Sequence, residues 1–244
     1  MNRLEKEQTV YNIFQTIAEN YDSANDRISL GLQKGWKQHL IDAVFDSLKA
    51  DNIKLLDICC GTGDIAISMA ETAKSKGLTA EVTGLDFSSA MLDVAKKRCA
   101  EADAASPVRS IKWIEGSAME LPFENGYFDA VTVSFGLRNT PDFEAVLREM
   151  QRVLKPEAKL FVLDSFEVKK GFVYPFYKFY FGVMIPFFES KYKDEYKWLN
   201  QSTELFLSPE ELSVLMEKLG LKDVSVSKYL FGACCLLEGR KLPD

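Results

Sequence analysis

An acidic residue and a glycine-rich turn give the first indication of chemistry in this sequence. Residues 53–58 form a short apolar run that contains Asp57, and the run ends at Gly61-Thr62-Gly63 before a helical period begins. Glycine permits a positive φ and a close approach of the backbone to a ligand, and the first N–H groups of the following helix have no partner within that helix. The stretch therefore predicts a strand, a tight turn and a helix that together bind a small polar ligand.

A second acidic position narrows the kind of ligand. The run 81–86 predicts another strand that ends in Asp86, from which a carboxylate can accept hydrogen bonds from both hydroxyls of a ribose. The turn lacks the third glycine of the dinucleotide fingerprint and the Gly-Lys-Ser/Thr of a P-loop, so neither a pyrophosphate nor a triphosphate is indicated. These features favour a nucleoside without a long phosphate chain. A tight connection within an α/β sheet is the alternative explanation of the glycines.

Three segments, in order, resemble the motif series of class I methyltransferases that use S-adenosylmethionine. They read LDICCGTGD at 56–64, GLDFS at 84–88 and GSAMELPF at 116–123. The resemblance implies S-adenosylmethionine as the cofactor. It also implies a set of cofactor-binding residues, namely Asp57, Gly61, Thr62, Gly63, Asp86, Phe87, Ser117, Ala118 and Ser134.

Two further segments resemble the menaquinone and ubiquinone biosynthesis C-methyltransferase family within that class. The segment FGLRN at 135–139 is similar to the part of that family that lines the acceptor pocket. The family's first signature is matched at Tyr21, Asp22, Asn25, Ser29 and Trp36. The chain is identified as a divergent member, because it departs from the family's usual residues at Ala24, Gln33, Glu157, Ala158, Asp164 and Leu237.

Carbon methylation of a hydroquinone, which the resemblance implies, needs few catalytic residues. Loss of a phenolic proton makes the ring carbon nucleophilic, and a nearby cation stabilises the phenolate. We assign that charge to Arg138, because arginine stays protonated, with Asn139 beside it on the acceptor side. Tyr21, Asp22 or an ordered water would take the proton. The alternative role for Arg138 is to pair with a carboxylate and hold its loop.

The rest of the pattern predicts an α/β fold. Apolar strands alternate with amphipathic helices along five predicted strands, at 53–58, 80–86, 111–114, 128–134 and 160–163. This alternation indicates a parallel sheet with helices on both faces. Two closing strands are predicted at 224–230 and 233–238. With the resemblance, we expect a Rossmann-like class I methyltransferase with a mostly parallel, seven-stranded sheet in a single domain, 1–244.

Two segments depart from the alternation. Residues 1–50 predict an N-terminal helical cap, in which amphipathic helices end near residue 20 and begin near residue 36, with a loop at 21–36 between them. Residues 166–200, which include Phe176, Phe179 and Tyr180, are dense in aromatic side chains. They predict an insertion after strand five that forms a wall for a flat, apolar acceptor, with a plain packing element as the alternative.

Composition limits the partners. The net charge of −6 and the lack of a basic block argue against binding to nucleic acid. No stretch reaches the roughly 20 apolar residues of a membrane span. We therefore expect a cytoplasmic protein, able to form a homodimer, that contacts the inner membrane face transiently to reach a prenylated quinol. Five cysteines without a CxxC pair and a single histidine, His39, predict reduced thiols and no metal.

The leading interpretation is a C-methyltransferase that converts demethylmenaquinol, or a similar prenylated hydroquinone, to its methylated product. Two alternatives remain open. One is a methyltransferase for another small aromatic or natural-product acceptor, which the departures at Ala24, Gln33 and Leu237 favour. The other is a non-catalytic binding protein with this fold, against which Asp57 and Asp86 argue, because a protein that had abandoned the cofactor would not need both.

Overall fold

The computed structural model describes residues 3–168, 174, 198 and 201–243. Its strands are β1 (Asn52–Ile58), β2 (Thr79–Asp86), β3 (Lys112–Glu115), β4 (Phe128–Ser134), β5 (Leu154–Ser165), β6 (Lys222–Tyr229) and β7 (Cys234–Arg240). They form one sheet in the order β3-β2-β1-β4-β5-β7-β6. The first five strands are parallel, and β7 runs antiparallel to both β5 and β6. The predicted mostly parallel, seven-stranded α/β sheet is confirmed.

Helices cover both faces of this sheet. They are α1 (Arg3–Ile17), α2 (Tyr21–Ile28), α3 (Gln33–Ser47), α4 (Asp64–Ser75), α5 (Ser89–Glu101), α6 (Phe143–Val153) and α7 (Pro209–Lys218). Successive strand residues point to opposite faces, so Leu55 packs with buried residues of α3 and α4 while Leu56 packs with those of α6 and α7. The central strands are buried on both faces, which is why they are almost continuously apolar in sequence.

The predicted loop at 21–36 is wrong, because α2 fills its first half and α3 begins at Gln33. The helical periodicity of α2 was not recognisable in the sequence, because the helix is short and buries only a narrow strip of its surface. Within that strip Ala24 is fully buried and packs with Ile17 and Met91. The polar residues that suggested a loop bond to one another, since Asp26 accepts a hydrogen bond from Gln33.

The predicted aromatic insertion at 166–200 lies mostly outside the described residues, and Phe176, Phe179 and Tyr180 are among those not described. Its first residue, Phe166, is buried and stacks on Phe206, with the ring centroids 5.4 Å apart. The Phe166 N–H also donates to the carbonyl of Ala233. Phe166 is therefore part of the core, and the role of the remaining aromatic residues stays a prediction.

One tryptophan fixes how closely α4 and β2 approach each other. Trp113 of β3 lies opposite Gly84 of β2, and its ring covers both that glycine and Gly63. A Cβ atom placed on Gly84 would stand 2.4 Å from Cζ3 of the ring, and one on Gly63 would stand 2.5 Å from Cη2. Gly63 also has a φ of +86°, so it is required both for its backbone conformation and for space.

We expect Gly84→Ala to lower the free energy of unfolding by about 1–3 kcal/mol, because the new methyl group must displace the partly buried ring of Trp113 from a close-packed contact. Urea denaturation measures this change. Gly35→Ala in α3 is the matched control, since no heavy atom lies within 4 Å of the added methyl group. There we expect a gain of about 0.5–1 kcal/mol from helix propensity. Equal stability of the two variants would contradict the packing role of Trp113.

Candidate active site

A cleft of about 710 Å³ opens at the carboxyl ends of the strands. It lies at the point where the strand order reverses, with β1 between β2 and β4, which is the usual ligand position in open α/β sheets. Six of the predicted cofactor-binding residues line it, namely Gly61, Asp86, Phe87, Ser117, Ala118 and Ser134. Of the predicted catalytic residues, Tyr21 and Asn139 line it as well.

The glycine turn presents bare backbone to this cleft. Gly61 has a φ of +55°, and no heavy atom lies within 4 Å of the position that its Cβ would take. The turn is held from behind, because the N–H of Cys60 donates to the carbonyl of Leu85 and that of Gly63 donates to the carbonyl of Cys60. A ligand can therefore approach the backbone at Gly61 without a side chain in the way.

Asp57 supports the turn from behind the cleft and does not line it. Its buried carboxylate accepts a hydrogen bond of 2.8 Å from the Thr132 hydroxyl and one from the backbone N–H of Ala66, in the first turn of α4. Burial raises its pKa to about 7. The structure thus places Asp57 where it orders the helix that begins at the glycine turn.

Asp86 lies at the floor of the cleft and joins two backbone segments. One carboxylate oxygen accepts a 2.8 Å hydrogen bond from the N–H of Gly61, and the other accepts a 2.9 Å bond from the N–H of Ser88. Burial raises the pKa of Asp86 to about 6. Each oxygen of an ionised carboxylate has a second lone pair, so Asp86 can hold the turn and still accept hydrogen bonds from a ligand.

Helix α1 covers one side of the cleft with residues that the sequence analysis did not assign to a site. Glu7, Val10 and Phe14 line the cleft. Phe14 also packs edge-on against Phe87, with the ring centroids 6.4 Å apart. The only signal for these residues in the sequence was the amphipathic periodicity of α1. It predicted a buried apolar face but did not show what that face packs against.

Arg138 lies behind the acceptor side of the cleft in a buried ion pair. Its Nη1 is 2.5 Å from Oδ1 of Asp164, and it also donates to the carbonyl of Phe135. Asp164 is fully buried and accepts a further hydrogen bond from the backbone N–H of Arg138. This pair is the carboxylate partner that the alternative role of Arg138 requires. Nε of Arg138 is buried and has no partner within the described part of the chain.

Tyr21 stands between this ion pair and the cleft. It lines the cleft and interacts electrostatically with both Arg138 and Asp164, and it shares a hydrogen bond with Asn25. Burial raises its pKa to about 12, so the phenol stays protonated at neutral pH. In this state Tyr21 can donate a hydrogen bond to a ligand.

Two buried polar atoms at the end of β4 have no partner among the residues that the structure describes. They are Oγ of Ser134 and Oδ1 of Asn139, and both residues line the cleft. A buried polar atom without a hydrogen bond costs free energy, so such atoms beside a cleft indicate a position for a polar ligand group. They lie on the side of the cleft opposite Asp86.

Asp22 and Thr62 lie outside the cleft lining and bond to each other. The Thr62 hydroxyl donates a 2.7 Å hydrogen bond to Oδ1 of Asp22. The structure therefore places Asp22 against the glycine turn and outside the cleft lining, and its catalytic role stays a prediction. Asp57, Gly63 and Arg138 are likewise close to the cleft without lining it.

The departures from the family's usual residues also avoid the cleft. Ala24 lies in the core beneath α1, Gln33 bonds to Asp26, and Leu237 is buried in β7. Glu157 has a φ of +66°, a conformation that favours glycine, and it pairs with Arg240 near the start of β5. None of these four residues lines the cleft in the described part of the chain.

All five cysteines are free thiols in the structure. Across the described ranges, no group of three or more His, Cys, Asp or Glu side chains is arranged to hold a metal ion. No helix in the described part is long and apolar enough to cross a membrane.

The reversed sheet order, the glycine turn after β1 and the acidic residue that ends β2 define the fold of the class I methyltransferases. A model of the ubiE/COQ5 methyltransferase family matches residues 2–241. The chain belongs to that family, which confirms both the resemblance and the assignment to the methyltransferase class of enzymes.

Comparison with individual proteins agrees with this membership. The chain is 39% identical over 246 residues to a protein named demethylmenaquinone methyltransferase from Staphylococcus aureus strain JH9, covering 100% of this chain and 97% of the relative. A SAM-dependent methyltransferase from Thermotoga maritima has a TM-score of 0.64 at 21% identity, covering 95% of this chain and 99% of the other. An N-methyltransferase from Haemonchus contortus, solved with S-adenosylhomocysteine, has a TM-score of 0.57 at 16% identity, covering 84% and 53% respectively. At these identities the two structures show the fold alone.

Proposed function

We propose that this enzyme transfers a methyl group from S-adenosylmethionine to a ring carbon of a prenylated hydroquinone, with demethylmenaquinol as the acceptor. The observation that carries this proposal is the arrangement at the acceptor side, where a protonated tyrosine and a buried arginine–carboxylate pair adjoin a cleft that already fits the cofactor. The name of the Staphylococcus aureus relative supports the choice of acceptor.

The residues of the cleft fit S-adenosylmethionine. Asp86 offers carboxylate lone pairs for ribose hydroxyls, and Gly61 offers bare backbone to the amino-acid end of the ligand. The loop at Ser117-Ala118 lines the cleft beyond β3, where a flat base can lie. Oγ of Ser134, which has no partner within the described ranges, gives a further polar contact. When bound, the cofactor supplies an electrophilic methyl group on a sulfonium.

The side chains on the acceptor side stabilise negative charge without removing a proton. Tyr21 stays protonated and donates a hydrogen bond to an acceptor oxygen. The positive charge of Arg138 lies behind Tyr21 and favours the phenolate form, since Asp164 offsets only part of its field. Asn139 places at the same wall an amide oxygen that has no partner among the described residues, where it can accept a hydrogen bond from the second hydroxyl of a hydroquinone.

An ordered water is the proton acceptor that these positions favour. Tyr21 keeps its own proton at neutral pH, because its pKa is raised to about 12, and Asp22 bonds to Thr62 outside the cleft lining. The enzyme then has mainly to align the donor and the acceptor and to exclude bulk water, which is sufficient for an in-line displacement. Residues of α1 contribute by covering the cleft.

The remaining aspects of the proposal follow from the acceptor. A prenylated quinol resides in a bilayer, so the protein would act as a single-domain cytoplasmic enzyme that contacts the inner membrane face transiently. The cap at 1–50 would cover the cofactor and the aromatic insertion at 166–200 the acceptor. The net charge of −6 disfavours tight attachment to anionic lipids and binding to nucleic acid. A homodimer is compatible with this scheme.

We expect methyl label from S-adenosylmethionine to appear on a ring carbon of reduced prenylated naphthoquinones. The assay incubates the protein with labelled cofactor and a panel of reduced quinones and simple phenols, and mass spectrometry locates the methyl group. Calorimetry with S-adenosylhomocysteine on the same preparation tests the cofactor site alone. Tight cofactor binding with label only on phenols would favour the natural-product alternative. Absence of binding would favour the non-catalytic one.

A further inference from the structure

A cluster of charged side chains joins the N-terminal cap to the glycine turn outside the cleft. Asp22 accepts the Thr62 hydroxyl at 2.7 Å, and Nη1 of Arg98 lies 3.3 Å from the other oxygen of Asp22. The same nitrogen donates to the carbonyl of Thr62 at 2.9 Å and to Asp64 at 2.6 Å. Lys37 completes the cluster with a 2.7 Å contact to Asp64. Two cations and two carboxylates from α2, α3, α4 and α5 thus form one cluster, in which Asp22 and Arg98 contact Thr62 of the turn.

The position of Asp22 in α2 gives this cluster a connection to the acceptor side. Tyr21 and Asp22 are the first two residues of α2, and successive helical residues point about 100° apart. Tyr21 therefore faces the cleft while Asp22 faces the turn. On the turn itself, Thr62 is bonded to Asp22 while its neighbour Gly61 lines the cleft. Tyr21 on the acceptor side and Gly61 on the cofactor side are therefore connected through a single hydrogen bond, which joins their chain neighbours Asp22 and Thr62.

The two partners of the Asp22–Thr62 hydrogen bond, which we call the latch, differ in their burial. Thr62 is only 3% exposed, so its hydroxyl loses a needed partner whenever the bond opens. The Asp22 and Arg98 side chains are 40% and 36% exposed, and ion pairs at that exposure contribute little by themselves. Burial, followed by the charge of Asp64, raises the pKa of Asp22, while Thr62 and Arg98 favour its charged form. The geometry at Thr62 therefore determines whether the cap is joined to the turn.

We propose that Asp22 is a positioning residue that couples the cofactor turn to the acceptor side of the cleft. By accepting the Thr62 hydroxyl bond, it fixes α2 and holds Tyr21 in place beside Arg138 when the turn is ordered by its ligand. The assignment of one side of the cleft to the cofactor and of the other side to the acceptor rests on the proposed function. Coupling of this kind is reciprocal, so ordering of the turn strengthens the docking of α2, and docked α2 strengthens cofactor binding.

Two other hydrogen bonds of the cap lead to segments other than the glycine turn. Lys6 donates to the carbonyl of Thr140 at 2.6 Å, and Gln15 donates to the hydroxyl of Ser89 at 2.9 Å. Both join α1 to segments that flank the cleft. The Asp22–Thr62 contact differs from them because it joins the cap directly to the glycine turn.

Hydrogen–deuterium exchange tests the latch without any acceptor. In the wild-type protein, S-adenosylhomocysteine is expected to slow exchange of the backbone amides of residues 21–28. In Thr62→Val, which keeps the shape of the side chain but lacks the donor, we expect this slowing to be about fivefold smaller, the size of one ordinary hydrogen bond. Asp22→Ala should have the same effect, and the double variant should lose no more than either single one.

Two further variants separate a latch from general stability. Asp22→Asn keeps an oxygen that can accept the Thr62 bond, so most of the ligand-induced slowing should return. Asp26→Asn removes an ion pair from the same helix without touching the turn or the cleft, and it should leave the slowing unchanged. Equal ligand-induced slowing in the wild type and Thr62→Val would overturn the proposal. Because no acceptor is used, this result stands whether or not the prenylated quinol is the correct substrate.

Discussion

Arg138→Met is expected to lower kcat and kcat/KM together by about 10²–10³-fold while the affinity for S-adenosylmethionine stays unchanged. Methionine has a similar length but no charge, so the variant removes the field that stabilises a phenolate formed only on the way to methyl transfer. Stopped assays at saturating cofactor, together with calorimetry, measure the two quantities on one preparation. A drop in cofactor affinity of the same size would contradict this assignment.

The buried pair with Asp164 requires a second variant, because removal of Arg138 alone leaves a carboxylate that is fully buried and uncompensated. Breaking such a pair typically destabilises a protein by about 3–5 kcal/mol. In the double variant Arg138→Met/Asp164→Asn the residual charge is removed, so we expect the melting temperature to recover while turnover stays low. Recovery of turnover along with stability would show that Arg138 only holds its loop.

The strands of the sheet were predictable because burial dictates their composition. The prediction for β4 is correct at both ends, since a polar turn with Asn125-Gly126 precedes an apolar run that is buried on both faces. Only the centre of β5 was predicted. Its first half carries Pro156 and Glu157, which look like a loop. The strand extends through them, although its pairing with β4 shifts register there and passes from Leu154 to Lys159. The start of β5 is set by pairing with neighbouring strands, and a local sequence pattern contains no information on that pairing.

The candidate site was predictable only as far as local motifs reach. Gly61 and Asp86 were found because a turn and a strand end each have a local signature, and their contact across 25 residues follows from the pairing of β1 with β2. The Arg138–Asp164 pair joins β5 to the segment after β4, and no local pattern shows it. The contact of Asp22 with Thr62 was not predictable for a related reason, because a helix directs adjacent side chains to different sides and the segment had been taken for a loop.

Asp86→Asn is expected to weaken S-adenosylmethionine binding by about 1–3 kcal/mol, which is the scale of a lost charge-assisted hydrogen bond. Asparagine keeps one oxygen for a backbone N–H of the turn or of Ser88. Alanine would leave both of these N–H groups without their acceptor and would confuse loss of the turn with loss of the ligand contact. Calorimetry at pH 7.5 measures the difference, and unchanged affinity would show that Asp86 serves the turn alone.

The pH dependence of binding gives a second measure of Asp86. Burial raises its pKa to about 6 in the free protein, so its contribution to folding stability is full below the unfolded value near 3.9 and is lost as the pH rises through about 6. A ligand whose hydroxyls bond to the ionised form lowers that pKa. The affinity of the wild type should therefore fall as the pH is lowered from 7 to 5, by up to about tenfold per unit below the pKa.

In Asp86→Asn this decline should flatten, because the titrating group is gone. Any slope that remains near pH 7 would come from Asp57, whose pKa burial raises to about 7 and which stays in place behind the turn. Calorimetry of S-adenosylhomocysteine binding from pH 5 to pH 8 in both proteins separates the two carboxylates. Parallel pH profiles for wild type and variant would mean that the ligand does not bond to the Asp86 carboxylate, and the ribose would then have to be bound elsewhere in the cleft.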